Sequence, residues 1–337
     1  MNTTKKKQVP FTIGIDVGGT KVYGILLDHD DTILARAKKK TKEGTPEAVL
    51  ERIKTLISDL LEETNTELEE ISGIGIGFPG PLDPTKGIVL EATNLPGWDH
   101  FPLTQHVSDI LEGTPAFLDN DVNLGTLGEA LAGAGKGASN VIGIFLGTGV
   151  GGGLVFNKRL FHGTSGTAGE IGHMIIQHGG PPSPRNLRGS VEGLTSRTAI
   201  VQNIEREIKN GAKSLLREPI LSGKKIRSSA LAKAFKQGDK LVVRTLEQTA
   251  EFVGVTVGSL INLLAPDVVV LGGGVMEAAP EAILPIAKRV AKKIAVPDAW
   301  NNVRVQEALL ADDAGAMGGA LLARQKIQIF ADEKNDK

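Results

Sequence analysis

The segment Ile13 to Leu27, IGIDVGGTKVYGILL, recurs from Ile142 to Phe156 as IGIFLGTGVGGGLVF. Each copy is an apolar strand, a glycine turn and a second apolar strand, so the chain builds one hairpin twice. Such a duplication points to two related halves and a site shared between them. The copies differ at an informative position, since Asp16 stands where the second has Phe145. That asymmetry suggests a carboxylate for a metal or phosphate on one turn and a turn that only cradles on the other. Glycines at a strand end permit positive φ and leave no Cβ, so backbone N–H groups can approach a phosphate closely. In the first turn, Gly18 and Gly19 are followed by a hydroxyl donor, Thr20, and a charge, Lys21. An ordinary tight hairpin also uses glycine; repetition of the motif favours the phosphate reading.

The second turn also satisfies G-x-G-x-x-G through Gly147, Gly149 and Gly152, the spacing of a dinucleotide site. That site requires a helix to follow. Leu154-Val155-Phe156 reads instead as a short strand, with another turn at Asn157-Lys158-Arg159.

A chain of 337 residues is long for one core, and two domains are expected. Its 38 basic and 39 acidic residues nearly balance, which speaks against steering toward nucleic acid or an acidic membrane and for a small-molecule ligand. Cysteine is absent, excluding disulfides, thiolate catalysis and cysteine-ligated zinc. The N-terminus, MNTTKKKQVPFTIG, lacks an apolar signal region, so a cytoplasmic location is expected. Phe252 to Val275 is too interrupted by Asn262, Pro266, Asp267 and glycines to span a membrane.

Residues 11 to 40 read as three strands, Thr45 to Leu61 as an amphipathic helix, Ile71 to Phe78 as a glycine-spaced strand and Ala116 to Leu118 as a short one. A helix from about Asn123 closes the first half. After the second hairpin, the glycine- and proline-rich stretch Gly163 to Gly189 is irregular, a length that usually signals function or disorder. Helices are expected over Thr195 to Glu207, Ser229 to Lys236, Lys240 to Leu264, Pro280 to Lys293 and Ala314 to Gln325, with a strand over Asp267 to Leu271 ending in Gly272-Gly273-Gly274. The mixture gives an α/β class.

Three glycine turns, at 18 to 19, 147 to 153 and 272 to 274, could line one polyphosphate in a cleft between domains. Asp119-Asn120-Asp121 ends a strand, where one carboxylate could take a hydroxyl proton during phosphoryl transfer. An aspartate there could equally cap the following helix. Glu170 and His173, flanked by glycines, could bind a polyol or form a plain surface pair, and Glu192 could be a first-turn helix residue. Trp98 and Tyr23 read as packing residues. Of the histidines, only His173 lies in a suggestive context; adding His178 makes a weak metal case.

Together these motifs resemble the bacterial sugar kinases of the ROK family, glucokinase-like members of the actin-like ATPase superfamily. The resemblance runs from Ile13 to about Arg324 through D-x-G-G-T, P-G-P after the strand 71 to 78, T-N-L-P-G-W at 93 to 98, N-D-V-N at 120 to 123, G-E-x-G-H-M at 169 to 174 and L-G-G-G-V at 271 to 275. It implies two actin-like ATPase (ribonuclease H-like) domains with a central cleft: a small one over 10–120 plus 312–330, closed by the C-terminal helix, and a large one over 121–311. It further implies that Asp121 is the general base toward a sugar 6-hydroxyl and that Asn120, Glu170, His173 and Glu192 bind sugar hydroxyls, with Gly80, Thr93 and Asn94 completing the pocket. Gly18, Gly19, Thr20, Lys21, Gly147, Thr148, Gly149 and Gly273 would contact ATP, with Asp16 near Mg²⁺ and the transferring phosphate. Glucose is the expected hexose, with N-acetylmannosamine, N-acetylglucosamine, mannose and fructose as rivals and a non-catalytic sugar sensor as the alternative from another class. A homodimer is expected. The family's regulators carry an N-terminal helix-turn-helix domain, and a first strand at residue 11 fits the kinase branch instead.

One departure is large. The family holds a zinc ion with the G-H-M histidine and the cysteines of C-x-C-G-x-x-G-C-x-E, where this chain has Ser183, Arg185 and Ser190. No structural zinc is therefore expected. Pro181, Pro182 and Pro184 would restrict the unfolded loop instead, each contributing on the order of 0.4 to 1 kcal/mol.

Overall fold

A computed structural model describes residues 11 to 335, except Thr20, 42–43, 92–96 and 184–185. The chain runs through β1 (Phe11–Val17), β2 (Lys21–Leu27), β3 (Ile33–Lys40), α1 (Pro46–Thr64), β4 (Ile71–Phe78), β5 (Leu82–Asp83), β6 (Ile88–Val89), α2 (Leu103–Ile110), β7 (Ala116–Asn120) and α3 (Asp121–Leu131). It continues through β8 (Val141–Leu146), β9 (Val150–Phe156), β10 (Arg159–Leu160), α4 (Val191–Thr195), α5 (Arg197–Lys209), α6 (Arg217–Leu221), α7 (Ser228–Lys236) and α8 (Lys240–Leu264). Last come β11 (Val268–Gly272), α9 (Gly274–Ala278), α10 (Pro280–Ile294), α11 (Pro297–Asn302), β12 (Arg304–Glu307) and α12 (Ala314–Asn335).

Two compact units result. The first holds the chain as far as Lys136, the segment His162–Thr167 and everything from Asp312, and the second holds Gly137–Phe161 and Ala168–Ala311. Their sheets have the same plan. The first is ordered β3-β2-β1-β4-β7 and the second β10-β9-β8-β11-β12. In each, an antiparallel meander is extended by two parallel strands, so the duplicated hairpins β1–β2 and β8–β9 hold equivalent places.

In the first unit, strand alternation separates two chemistries. Ile13, Ile15, Ile74 and Ile76 bury one sheet face against Val49, Ile53, Leu56 and Leu60 of α1. That helix is started by Thr45, whose hydroxyl accepts from the Ala48 N–H, and stopped at left-handed Asn65. On the opposite face the middle of β1 and β4 presents glycines, Gly14, Gly73, Gly75 and Gly77. A Cβ on Gly14 or Gly75 would overlap the carbonyl oxygens of Ala316 and Gly319, and a Cβ on Gly318 would overlap that of Leu124. Glycines on both sides thus let α12 lie backbone against backbone on β1, β4 and α3. Arg324 fastens the helix further, donating to Asp31, to the Asp28 carbonyl and to Thr12 Oγ1.

In the second unit, α8 is capped by Asp239, whose Oδ1 accepts from the Leu241 and Val242 N–H groups at 3.0 and 3.2 Å. Gly254 and Gly258 bring it close to Val290 and Ile294 of α10. Among the described residues, no helix is long and apolar enough to cross a membrane.

Several expected boundaries change. The helix expected over Thr195 to Glu207 is divided at Ser196, an extended residue whose hydroxyl caps α5 by accepting from the Ala199 N–H. The helix after β7 begins at Asp121 rather than near Asn123, and the final helix runs past Gln325 to Asn335. Short elements that show little periodicity, notably β5, β6 and α2, were not legible in the sequence.

The α12 contact makes Gly318→Ala costly, because the added methyl meets backbone that cannot rotate away. A loss of about 1–3 kcal/mol is expected from overpacking. It should be read as a lower urea midpoint, and an unchanged midpoint would contradict the contact.

Candidate active site

The first unit gathers its functional candidates where parallel strands end. Asp16, Gly77 and Asp119 lie in register across β1, β4 and β7, and Phe78 pairs with Asn120 one step further on. Ends of parallel strands are the usual ligand-binding edge of an α/β sheet. Asn120 then caps α3, its Oδ1 accepting from the Val122 and Asn123 N–H groups at 2.9 and 3.3 Å. The capping alternative raised for an aspartate is therefore fulfilled by Asn120. Asp121 is the first helical residue, where the positive end of the helix dipole favours a carboxylate.

Burial raises Asp121 above the ordinary carboxylate range. Asp16 is pushed up to about 6, first by burial and then by the charge of Asp121, with Lys21 opposing. Lys21 Nζ lies 3.2 Å from Asp312 Oδ2 and 5.7 Å from the Tyr23 ring centroid, so its charge is already engaged. Gly315 of α12 packs beside the Asp16 carboxyl. Tyr23, expected only to pack, also donates to Asp313, which Arg36 holds below the usual carboxylate range against the effect of burial. Trp98 is a packing residue, buried between Phe78 and Phe101 with its indole N–H on the Gly44 carbonyl at 2.7 Å.

The glycine turns divide by cause. The Gly18 N–H closes the first turn on the Lys21 carbonyl at 2.9 Å. Neither Gly18, Gly19 nor Gly147 uses positive φ, and an added Cβ would meet nothing closer than 3.4 Å. The fold itself does not demand glycine there. Of the two reasons for glycine given by the sequence, positive φ does not apply. Gly273 is different, since it has φ 85° and a Cβ there would press on the Leu146 backbone at 2.7 Å. Gly80 likewise holds a positive φ of 109°.

The second unit brings together the other candidates. A short turn, Ile171–His173, is seated on β9 because Gly169 and Gly172 allow close approach to Gly152 and Val150. His173 Nε2 and Glu170 Oε2 stand 3.5 Å apart on it, as partly exposed neighbours. Glu192, in the first turn of α4, accepts the Val150 N–H on Oε2 at 2.9 Å. Gly149 makes room for that carboxylate at the turn. Thr148 is held by Arg197, whose guanidinium donates to its Oγ1, and by Thr198, whose hydroxyl donates to its carbonyl at 2.7 Å. Arg197 carried no motif, and only the folded turn reveals it.

Thr20, Thr93, Asn94 and Arg185 lie outside the described residues. At the other two departed cysteine positions, the Ser190 hydroxyl donates to Ser183 Oγ at 2.7 Å and Ser183 Oγ donates to the Leu187 carbonyl. Ser190 also caps α4 through the Gly193 N–H.

The ROK family profile matches residues 12–326. The chain belongs to the ROK family. Its fold is accordingly the actin-like ATPase fold, with the duplicated sheet plan described above. A glucokinase of Thermotoga maritima is 32% identical over 316 residues, spanning 94% of this chain and 98% of its own. A ROK hexokinase structure from Thermus thermophilus superposes with a TM-score of 0.77 at 30% identity, covering 94% of this chain and 99% of that one. A ROK family glucokinase from Streptomyces griseus, solved with glucose and AMPPNP, gives 0.76 at 30% identity with the same coverage.

Magnesium suits the Asp16 corner, where a carboxylate raised by burial and by a like charge gains from a divalent cation. Among the described residues no three His, Asp or Glu side chains cluster as a metal cage. A Mg²⁺ ion would thus be held by Asp16 together with nucleotide phosphates and water, as is usual for this cation.

The raised Asp16 also sets a stability prediction. Its folded value of about 6 exceeds the ordinary 3.8, so the folded state binds the proton more tightly and loses stability as pH rises from about 4 to 6. Asp16→Asn should therefore raise the melting temperature of the ligand-free protein at pH 7.5 by about 2–4 °C. The gain should vanish below about pH 4, where both states carry the proton. A lowered melting temperature at pH 7.5 would show that the carboxylate is not isolated in this way.

Proposed function

We propose that this protein is an ATP-dependent sugar kinase that transfers the γ-phosphoryl group to the 6-hydroxyl of a hexose, with glucose as the first candidate. The observation that carries the reading is Asp121, a carboxylate raised by burial at the first turn of α3, with no cationic side chain paired to it among the described residues. Similarity to the two glucokinases and the hexokinase supports the sugar and the nucleotide.

Asp121 accepts the 6-hydroxyl proton as that oxygen attacks the γ-phosphorus and ADP departs. A carboxylate raised toward working pH is the stronger base for this transfer. The Gly18 and Gly147 N–H groups close their own turns, and the missing Cβ atoms of Gly18, Gly19 and Gly147 leave room for phosphate oxygens to approach; Thr148 is oriented for a phosphate contact by Arg197 and Thr198. Mg²⁺, when bound, neutralises phosphate charge. Asn120 keeps its Oδ1 on the α3 N–H groups, so only its amide Nδ2 is left to donate to a sugar hydroxyl. Glu170, His173 and Glu192 supply the remaining sugar contacts, Glu192 through the carboxylate oxygen not engaged by Val150.

Three measurements test this. ATP turnover coupled across glucose, mannose, fructose, N-acetylglucosamine and N-acetylmannosamine should be greatest with glucose, and Asp121→Asn should lower kcat by about 10²-fold or more with sugar binding retained. Turnover with no sugar in the panel would point to a sugar sensor; a fully active Asp121→Asn enzyme would remove the base. Gly19→Ala should melt as the parent does, because its methyl meets nothing, yet weaken ATP about tenfold or more by standing where a phosphate approaches. Unchanged ATP affinity in that variant would exclude the turn from the nucleotide site.

A further inference from the structure

Asp119 is the most deeply buried acid of the D-N-D triplet, with its side chain 2% exposed, and none of the proposed chemistry uses it. Its Oδ1 accepts from the Asn120 N–H at 2.8 Å and from Asn123 Nδ2 at 2.9 Å. These two partners flank Asp121 in sequence, one at the helix cap and one in the first helical turn. The remaining oxygen, Oδ2, lies 2.7 Å from His162 Nε2. His162 arrives from the segment His162–Thr167, which groups with the first unit although the chain on either side of it does not.

A carboxylate this buried must have its lone pairs satisfied, and one with an oxygen left bare there would turn toward water. That turn would release Asn120 or Asn123, and with them the geometry of the residues between. The imidazole is raised above its ordinary value by its hydrogen bond to Asp119, with burial and then Lys326 of α12 opposing. The other charged groups around it are Asp83 and Lys86, which line the same cavity of about 770 Å³ and pair with each other at 3.3 Å. They leave Asp119 as the hydrogen-bonded partner of His162.

We propose that His162 is a positioning residue for the Asp121 carboxylate, acting through Asp119. The inference rests on the reading of Asp121 as the base. His162 touches neither sugar nor nucleotide in this role; it holds the strand end that aims the base. The backbone amide of Asn120 and the side chain of Asn123 are the two arms by which the effect reaches Asp121.

The test uses the full chain with glucose and ATP. His162→Leu should lower kcat by about tenfold to a hundredfold, the range for a slightly misplaced catalytic group, while the glucose KM stays within about twofold. His162→Gln, whose amide can still donate to Asp119, should recover kcat to within about threefold, and His162→Asn, with a shorter reach, should not. In the Asp121→Asn background, His162→Leu should produce no further loss, because groups acting as a unit are non-additive. A His162→Leu enzyme with parental kcat, or one whose loss multiplies fully with that of Asp121→Asn, would overturn the inference and leave the base assignment standing. A fully active Asp121→Asn enzyme would overturn both. Should His162→Leu not fold, the Gln and Asn variants carry the same comparison, and equal kcat for those two would count against positioning.

Discussion

Most of the first unit depends on one contact, the laying of α12 directly on the backbones of β1, β4 and α3. Gly14, Gly75 and Gly128 on one side, and Gly315, Gly318 and Gly319 on the other, remove every Cβ that would hold these elements apart. Where backbone meets backbone at these glycines the packing has little slack, because no side chain there can change rotamer. The ends of β1 and the start of α3 are therefore placed by backbone sterics. Asp16 and Asp121 inherit that placement, and Asp16 is packed against Gly315 of the same helix.

Rigidity at this point matters electrostatically. Two carboxylates raised by burial, one of them by the other, are an unfavourable arrangement that a softer scaffold would relax by letting one swing into water. The surrounding bonds work against such relaxation. Asn120 holds the α3 N–H groups, Asp119 holds Asn120 and Asn123, and Asp312 draws Lys21 aside. The second unit uses a related device, with Glu192 and Arg197 bracing the glycine turn from outside it. In both, the residues nearest the expected phosphates are small, and shape is imposed by neighbours.

The sequence was most legible where periodicity was strong. The duplicated hairpin foretold two sheets with one plan, and Lys240 to Leu264 forms the helix its pattern predicts. The alternation of isoleucine and glycine in IGID and ISGIGIGF already separates the two faces of a sheet, although not what covers the glycine face. That was illegible because glycines in AGAMGGALLAR read as weak helix, when their value lies in contact with another backbone. His162 was passed over for a similar reason: its partner Asp119 is distant in sequence, and no spacing rule links a loop histidine to a strand-end acid. Asn120 rather than Asp121 caps α3 because the helix starts two residues earlier than the apolar pattern suggested.

The order of synthesis gives the α12 contact a further meaning. β1, β4 and α3 leave the ribosome well before α12, with the whole chain of the second unit made in between. During that interval the glycine faces of β1 and β4 have no helix to cover them, and an uncovered sheet face is a surface on which nascent chains misassociate. The second unit has no such wait, because Gly137–Phe161 and Ala168–Ala311 are complete before Asp312 is added. The unit begun first is thus the one finished last.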